Sequence, residues 1–459
     1  ITAMHSYGQV PLFISVLLMI LLASYIGLYV GLYTAGVAWV KKSGSLLTCL
    51  AAPSLWVALE LLRTYLFSGF PWALLGYSQY QWLTIIQIAD ITGVYGISFL
   101  IVLVNITLLH LIGWVIDKQK QRVKPFPWVT CTTTISIVGI CLAYGFWQLN
   151  YYATDHSSAG NLQIGVVQGN IDQARKWDKT YRQETVSRYD ALSRRAAQNT
   201  DLIIWPESAT PFFFEREPGY QRQVAVITQE TNTPLLFGSP TLRRHQDGAP
   251  YLFNSAYLLT PQGDIAGRYD KRHLVPFGEY IPLRSILFFL DKLVVGIGDF
   301  QAGVGDLTLT LPQHDDRPPL KFGVAICFEV IFPDLVRQMA KEGADFLVTI
   351  TNDAWFGDSV APYQHFGMVV FRAVENRVAF ARSANTGISG FIAPDGRVIS
   401  TTPIFTQEAL TGTIPLRTTT AFYSQYGDVF AWACVIVLAM CGWTQRHRSR
   451  QSNNESPHS

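Results

Sequence analysis

The chain has 459 residues, enough for two or three domains, and its net charge of +2 gives no argument for nucleic acid as a partner. With 49% hydrophobic and 15% charged residues and a mean hydropathy of +0.19, it is too apolar for an ordinary soluble protein. It contains no zinc-like Cys/His spacing, no HExxH run and no GxxxxGK[ST] loop, so no metal, nucleotide or other cofactor is expected.

A bilayer-spanning helix needs about 20 mostly apolar residues. Five stretches meet that pattern, at 11–39, 46–66, 92–116, 127–147 and, near the C-terminus, 426–443. Their orientation follows from the basic residues of the short loops. Lys41 and Lys42, then Lys118, Lys120, Arg122 and Lys124, then Arg446, Arg448 and Arg450 mark one side, while 1–10 and 67–91 contain neither Lys nor Arg. Threading the segments with the basic loops inside places 150–425 on the outer face, the periplasm in a bacterium with an inner membrane. The expected domains are a transmembrane region over 1–150, an exported catalytic domain over 151–421, a transmembrane helix over 422–445 and a basic cytoplasmic tail over 446–459. Glu60 and Arg63, three apart in the second segment, share a helix face and are expected to pair or, for Arg63, to hold a phospholipid headgroup.

Residues 161–415 alternate strand-like and helix-like runs, the signature of an α/β domain. Strands are predicted at Gln163–Gln168, Leu202–Trp205, Leu235–Gly238, Phe253–Leu259, Lys321–Ile326, Phe346–Thr351 and Gly390–Ala393. Helices are predicted over 179–198, 219–231, 333–343 and 362–376. The turn signals Pro261-Gln262-Gly263-Asp264 and Pro394-Asp395-Gly396-Arg397 each read as hairpins.

Cys327 is the only cysteine of this long polar region; Cys49, Cys131, Cys141, Cys434 and Cys441 all fall in apolar stretches. A lone thiol between a strand-like and a helix-like run is a candidate nucleophile. In an oxidising compartment it has no cysteine of its own domain to pair with, so it persists as a thiol. Glu207, in the run WPES, and Lys271, in the run YDKRHLVPFGEY, stand at the edges of other strand-like runs. A carboxylate, an amine and a thiol so placed suggest acyl transfer.

These three motifs, in this order, resemble the nitrilase superfamily, and the resemblance implies a Glu-Lys-Cys triad on a four-layer αββα sandwich. The flanking membrane segments, Gly69-Phe70-Pro71-Trp72, the run Asn352-Asp353-Ala354-Trp355-Phe356-Gly357-Asp358-Ser359 and the single C-terminal helix make the chain similar to its membrane-embedded branch, the apolipoprotein N-acyltransferases. That branch carries eight membrane helices, so three further ones are expected upstream of Ile1. The expected fold is thus a nitrilase-like αββα domain inserted between transmembrane helices. The implied reaction moves an acyl chain from a phospholipid, through a Cys327 thioester, to the α-amine of a diacylglyceryl-cysteine lipoprotein, in a monomer.

By this resemblance Cys327 is the nucleophile and Glu207 the general base. Lys271 stabilises the oxyanion with the backbone N–H after Cys327. Glu279 orients Lys271, and Glu329 positions the nucleophile loop. Trp72, Trp205, Asn254, Phe328, Trp355 and Arg63 are the candidate substrate-binding residues. Phe328 stands where several relatives carry a tyrosine. The apolar runs Pro211-Phe212-Phe213-Phe214, Ile286–Leu290 and Leu293–Val295, with Trp355 and Phe356, are read as arms that dip into lipid or line an acyl entrance. Holding the reaction at the bilayer avoids extracting the chain, which costs about 0.8 kcal/mol per CH₂ and therefore about 12 kcal/mol for some 15 methylenes. A membrane-tethered amidase acting on a small amide would not require such arms, and a non-catalytic scaffold would not require the triad.

Overall fold

The computed structural model describes residues 4–5, 10–40, 45–154, 160–245, 247–280, 300–312 and 318–454, and these fall into two compact units. Lys41, Lys42 and the apolar runs within 286–295 lie outside the described residues.

In the unit built from 20–154 and 421–459, each of the five expected apolar segments is part of a helix: Leu12–Val40, Ser45–Tyr65, Val94–Gln119, Trp128–Thr154 and Val429–Asn454. Among the described residues, three of these are long and apolar enough to cross a membrane, Leu12–Trp39, Val94–Gln119 and Trp128–Thr154. The described apolar part of the last helix is Val429–Thr444, and Ser45–Tyr65 carries Pro53, Glu60 and Arg63 in an otherwise largely apolar run. Apolar side chains such as Leu17, Leu21 and Ile135 are exposed along the long helices, as lipid-facing surfaces require. Buried hydroxyls join helices inside the unit: Thr107 and Thr134 meet at 2.6 Å, and Tyr95 donates to Thr64 at 2.9 Å.

Among the described residues, the unit containing 155–420 holds twelve strands in two sheets. They are β1 (Asn161–Gln168), β2 (Leu202–Ile204), β3 (Leu235–Arg244), β4 (Pro250–Leu259), β5 (Ile265–Asp270), β6 (Thr308–Leu311), β7 (Leu320–Ile326), β8 (Phe346–Thr351), β9 (Phe380–Ala384), β10 (Gly390–Ile392), β11 (Val398–Thr401) and β12 (Glu408–Pro415). One sheet runs β12-β1-β2-β3-β4-β5 and the other β11-β10-β9-β8-β7-β6. Each has a parallel centre, β1-β2-β3 and β7-β8-β9, flanked by antiparallel strands. The predicted hairpin turns join β4 to β5 and β10 to β11.

Helices Arg182–Ala196 and Pro218–Thr231 lie with the first sheet; Pro333–Lys341 and Ala361–Asn376 lie with the second. The sheets face each other, making four layers in all. Covered on both faces, the central strand β8 is buried at every position, which is why it reads as a continuous apolar run. Hydrogen bonds lock the sheets together: Ser383 donates to the Val167 carbonyl at 3.0 Å, and Asn385 donates to the Ile171 carbonyl at 2.8 Å.

Two apolar readings are corrected by this packing. Phe212 and Phe214 are buried in the core formed by β2, β3, β4 and their covering helices, where Phe214 meets Phe237 and Tyr257. They are not arms. Trp205 belongs to the same core, stacked on Tyr189 at 4.8 Å with its indole N–H donating to Ser193 at 2.7 Å. It anchors the segment leading to Glu207 and presents no surface to a substrate.

Candidate active site

Glu207 follows β2, Lys271 follows β5, Cys327 follows β7 and Asn352 follows β8. The carboxyl ends of parallel strands are where open α/β sheets place their chemistry, because the chain must turn there and backbone groups become available. Cys327 takes that turn with φ +53, in the left-handed region, and opens a short turn of helix over Cys327–Ile331. Holding a non-glycine residue in that region costs about 1–2 kcal/mol, which the surrounding contacts must offset.

The backbone of Glu207 packs against Gly238 of β3. A Cβ at Gly238 would sit 2.6 Å from Glu207 Cα, so no side chain fits without moving the carboxylate. Gly238→Ala is therefore expected to lower the acyl-transfer rate by about 100-fold, the effect of displacing a reacting group by about 1 Å, as read in a single-turnover assay.

The Glu207 carboxylate is held at both oxygens. Oε1 accepts from Asn254 Nδ2 at 2.7 Å, and Oε2 accepts from the Asn352 backbone N–H at 2.9 Å. Lys271 Nζ stands 3.6 Å from Oε1 and donates to Glu279 Oε1 at 2.9 Å. Asn254 also donates to Glu279 Oε1, at 2.8 Å, while Glu279 Oε2 accepts from the Val275 N–H at 2.8 Å. A fully buried ammonium is thus flanked by two carboxylates that a single amide side chain bridges.

The electrostatics follow from this arrangement. Burial pulls the Lys271 ammonium down, but Glu279 and Glu207 more than reverse it, so the lysine is held above its ordinary value and stays charged. Burial, then the charge of Glu207, pushes the Cys327 thiol up, and the opposing pull of Lys271 is smaller. Cys327 thus rests as a neutral thiol beside the Glu207 carboxylate.

Glu329 joins the two halves of the site. Its Oε1 accepts from the N–H groups of Arg272 and His273 at 2.7 and 3.2 Å and from the Tyr269 hydroxyl at 2.9 Å. Its Oε2 accepts from the Ile326 N–H at 2.7 Å. One buried carboxylate therefore ties the chain after Lys271 to the chain before Cys327. Burial pushes Glu329 up to about 7, against the pull of Ile326, Lys271 and the other donors. Above that pH all four donors face an anion. Below it a proton occupies an oxygen that donors surround, and the tie weakens. Acyl-enzyme formation is expected to fall as pH drops through about 7, and Glu329→Gln, which fixes the low-pH pattern, is expected to be slow across about pH 6–8. A single-turnover pH profile of both proteins checks this.

Three buried groups near the site escaped the reading of the sequence. Lys176 donates to the Glu207 carbonyl at 3.1 Å, and burial pulls it down to about 8. Nothing in its local sequence marks it. Asn352 holds Glu207, and His365 reaches the Cys327 carbonyl at 3.1 Å. Asn352 stands in a run that had been singled out without a role for it, whereas His365 had no signal beyond a helical pattern.

The remaining candidates are spread out. Phe328 is buried and packs edge-on to Phe332 at 5.2 Å, with His273 at 6.1 Å. Trp355 is 39% exposed on the turn Asp353–Phe356. In the other unit, Trp72 is half-buried after the helix Ser45–Tyr65. Glu60 and Arg63 form no ion pair with each other. Glu60 Oε1 accepts from the Leu75 N–H at 2.7 Å, and Arg63 donates to the Ala73 carbonyl at 3.4 Å. Both border a cavity of about 170 Å³, also lined by Tyr29, Trp56, Ala73 and Leu75.

Comparison with known proteins agrees with this architecture. Residues 163–423 match the carbon-nitrogen hydrolase family, and residues 1–107 match the apolipoprotein N-acyltransferase N-terminal domain. An apolipoprotein N-acyltransferase of Geobacter metallireducens is 44% identical over 95% of this chain and 81% of its own length. Those of Methylococcus capsulatus and Pseudomonas aeruginosa are 34% and 33% identical, over 89% and 92% of this chain and 77% and 79% of theirs. Among solved structures, an amidase from Nesterenkonia sp. aligns over 59% of this chain and 94% of its own, at 19% identity and a TM-score of 0.42. With a nitrilase-like sandwich, long apolar helices and family matches at both ends, the chain belongs to the apolipoprotein N-acyltransferases, membrane-embedded acyltransferases of the carbon–nitrogen hydrolase superfamily.

Proposed function

We propose that this protein transfers an acyl chain from a membrane phospholipid to the α-amine of a diacylglyceryl-cysteine lipoprotein, through a thioester on Cys327. The observation that carries the reading is the division of labour among buried charges. Glu207 is fixed by Asn254 and Asn352, while Lys271 is kept charged by Glu279.

In the first half-reaction, Glu207 takes the Cys327 proton as sulfur attacks the ester carbonyl. Lys271 and the Phe328 N–H, early in its turn where N–H groups lack helical partners, receive the oxyanion. Collapse breaks the C–O bond, and Glu207 returns the proton to the leaving alkoxide, releasing lysophospholipid. In the second, the amine attacks the thioester, Glu207 accepts its proton, the C–S bond breaks and the thiol is restored. Protons balance, and no nucleotide is consumed.

Phe328 and the exposed Trp355 are proposed to meet the acyl chain; Trp72, in the helical unit, is proposed to meet the substrate at the membrane. Arg63 is proposed to engage the phospholipid headgroup, since its Nε is buried beside the cavity with no hydrogen-bond partner among the described residues. The distribution of basic loops supports a catalytic unit on the periplasmic face. All proposed residues come from one chain, so a monomer suffices.

The test is a chase. Enzyme carrying a radiolabelled acyl chain is given a diacylglyceryl-cysteine peptide with a free or an acetylated N-terminus. Label is expected on the free amine and not on the acetylated peptide. Release of label as free fatty acid at equal rates with and without peptide would instead identify a hydrolase.

A further inference from the structure

Behind the nucleophile lies a buried polar chain that the proposed mechanism leaves unused. His365, fully buried on helix Ala361–Asn376, has Nε2 3.1 Å from the Cys327 carbonyl oxygen and Nδ1 3.0 Å from Asp353 Oδ1. Asp353 is gripped further by Arg382, which donates to Oδ2 at 2.8 Å, and by Thr351, which donates to Oδ1 at 2.9 Å. Arg382 in turn donates from Nε to the Ile388 carbonyl at 3.0 Å, so the guanidinium is pinned at both ends. Burial pushes Asp353 up, but Arg382 and His365 more than reverse it and hold it at about 2, a carboxylate at any working pH.

A carbonyl oxygen only accepts, so the contact with Cys327 requires a proton on His365 Nε2, and the imidazole is the donor. The consequence lies on the other side of the peptide. The Cys327–Phe328 peptide is planar and trans, so its C=O and N–H point in opposite directions. Fixing the carbonyl with His365 fixes the direction of the Phe328 N–H, the backbone donor proposed for the oxyanion. The same bond polarises the peptide and makes that N–H a stronger donor. The left-handed φ of Cys327 makes such a clamp necessary, because nothing intrinsic to a non-glycine residue holds the backbone there.

We infer that His365, oriented by Asp353 and Arg382, is a positioning residue of the oxyanion hole, acting through the Cys327–Phe328 peptide. This rests on the reading of Cys327 as the acyl-carrying nucleophile.

The test uses the full chain in lipid nanodiscs and two polar replacements of different reach. His365→Gln retains a side-chain N–H long enough to reach the Cys327 carbonyl; His365→Asn is too short. Two rates are measured on each: thioester formation from labelled phospholipid, which passes through an oxyanion, and alkylation of Cys327 by iodoacetamide, which does not. The expected result for His365→Asn is a thioester rate at least about tenfold lower, with alkylation within about threefold of wild type, and substantial recovery of the thioester rate in His365→Gln. Equal loss of both rates, or loss of neither, overturns the inference. So does a thioester rate in His365→Gln as low as in His365→Asn. Absence of any thioester on the wild-type protein would instead overturn the reading of Cys327 itself.

Discussion

Given phospholipid with a labelled acyl chain, the wild-type protein is expected to acquire a hydroxylamine-sensitive label, and Cys327→Ala none. The argument is one of access and chemistry together. The five other cysteines are buried in the helical unit. Cys327 alone is partly exposed, at the end of β7, with the Glu207 carboxylate and the Lys271 ammonium acting on its thiol. Hydroxylamine cleaves thioesters and spares amides, so the label reports the bond itself. The serine variant is a weaker control, since an alkoxide is harder to generate and an oxygen ester would resist mild hydroxylamine. Label persisting on Cys327→Ala, or never appearing on wild type, would end the proposed mechanism.

How much of this was legible before the structure follows from what each residue's neighbours reveal. Cys327 and Glu207 each follow a run apolar enough to read as a buried strand, Lys271 follows the mixed run Ile265–Asp270, and all three stand in ordered motifs. The seven predicted strands are present, some longer than their apolar cores suggested; β3 extends to Arg244 where only Leu235–Gly238 was expected. The five strands that went unseen lack that apolar contrast. β9 carries Arg382 at a buried position because its guanidinium is neutralised inside the sheet by Asp353, a partner 29 residues away. β12, mixed in burial, exists by pairing with β1 across some 250 residues of chain, which no local pattern encodes. Phe212 and Phe214 show the converse limit: an aromatic run beside a catalytic motif looks the same whether it meets lipid or a core. Lys176 and His365 were invisible because a buried polar residue is meaningful only through the atoms it touches.

Glu207→Gln is expected to slow thioester formation by about 100- to 10,000-fold, the range assigned to a positioned general base, while leaving the fold intact. Burial alone still disfavours the Cys327 thiolate once the Glu207 charge is gone, so without a base in place attack must wait for a rare thiolate. The amide substitution also acts on geometry. Both Glu207 oxygens accept hydrogen bonds, from Asn254 and from the Asn352 N–H. An amide has one acceptor oxygen, so its NH₂ must face one of those donors, and the side chain loses a tether as well as its basicity. Iodoacetamide separates the two consequences, because its displacement needs the thiolate but no oxyanion: Glu207→Gln, which removes the base, is expected to slow it, and Lys271→Met, which removes a charge that favours the thiolate, is expected to slow it by less than it slows acylation. In Lys271→Met the expected loss is about 100- to 1000-fold and falls on the acyl reaction, where an oxyanion donor is missing. The paired measurement therefore assigns proton transfer to Glu207 and charge stabilisation to Lys271. Near-normal acylation by Glu207→Gln would remove Glu207 as the base.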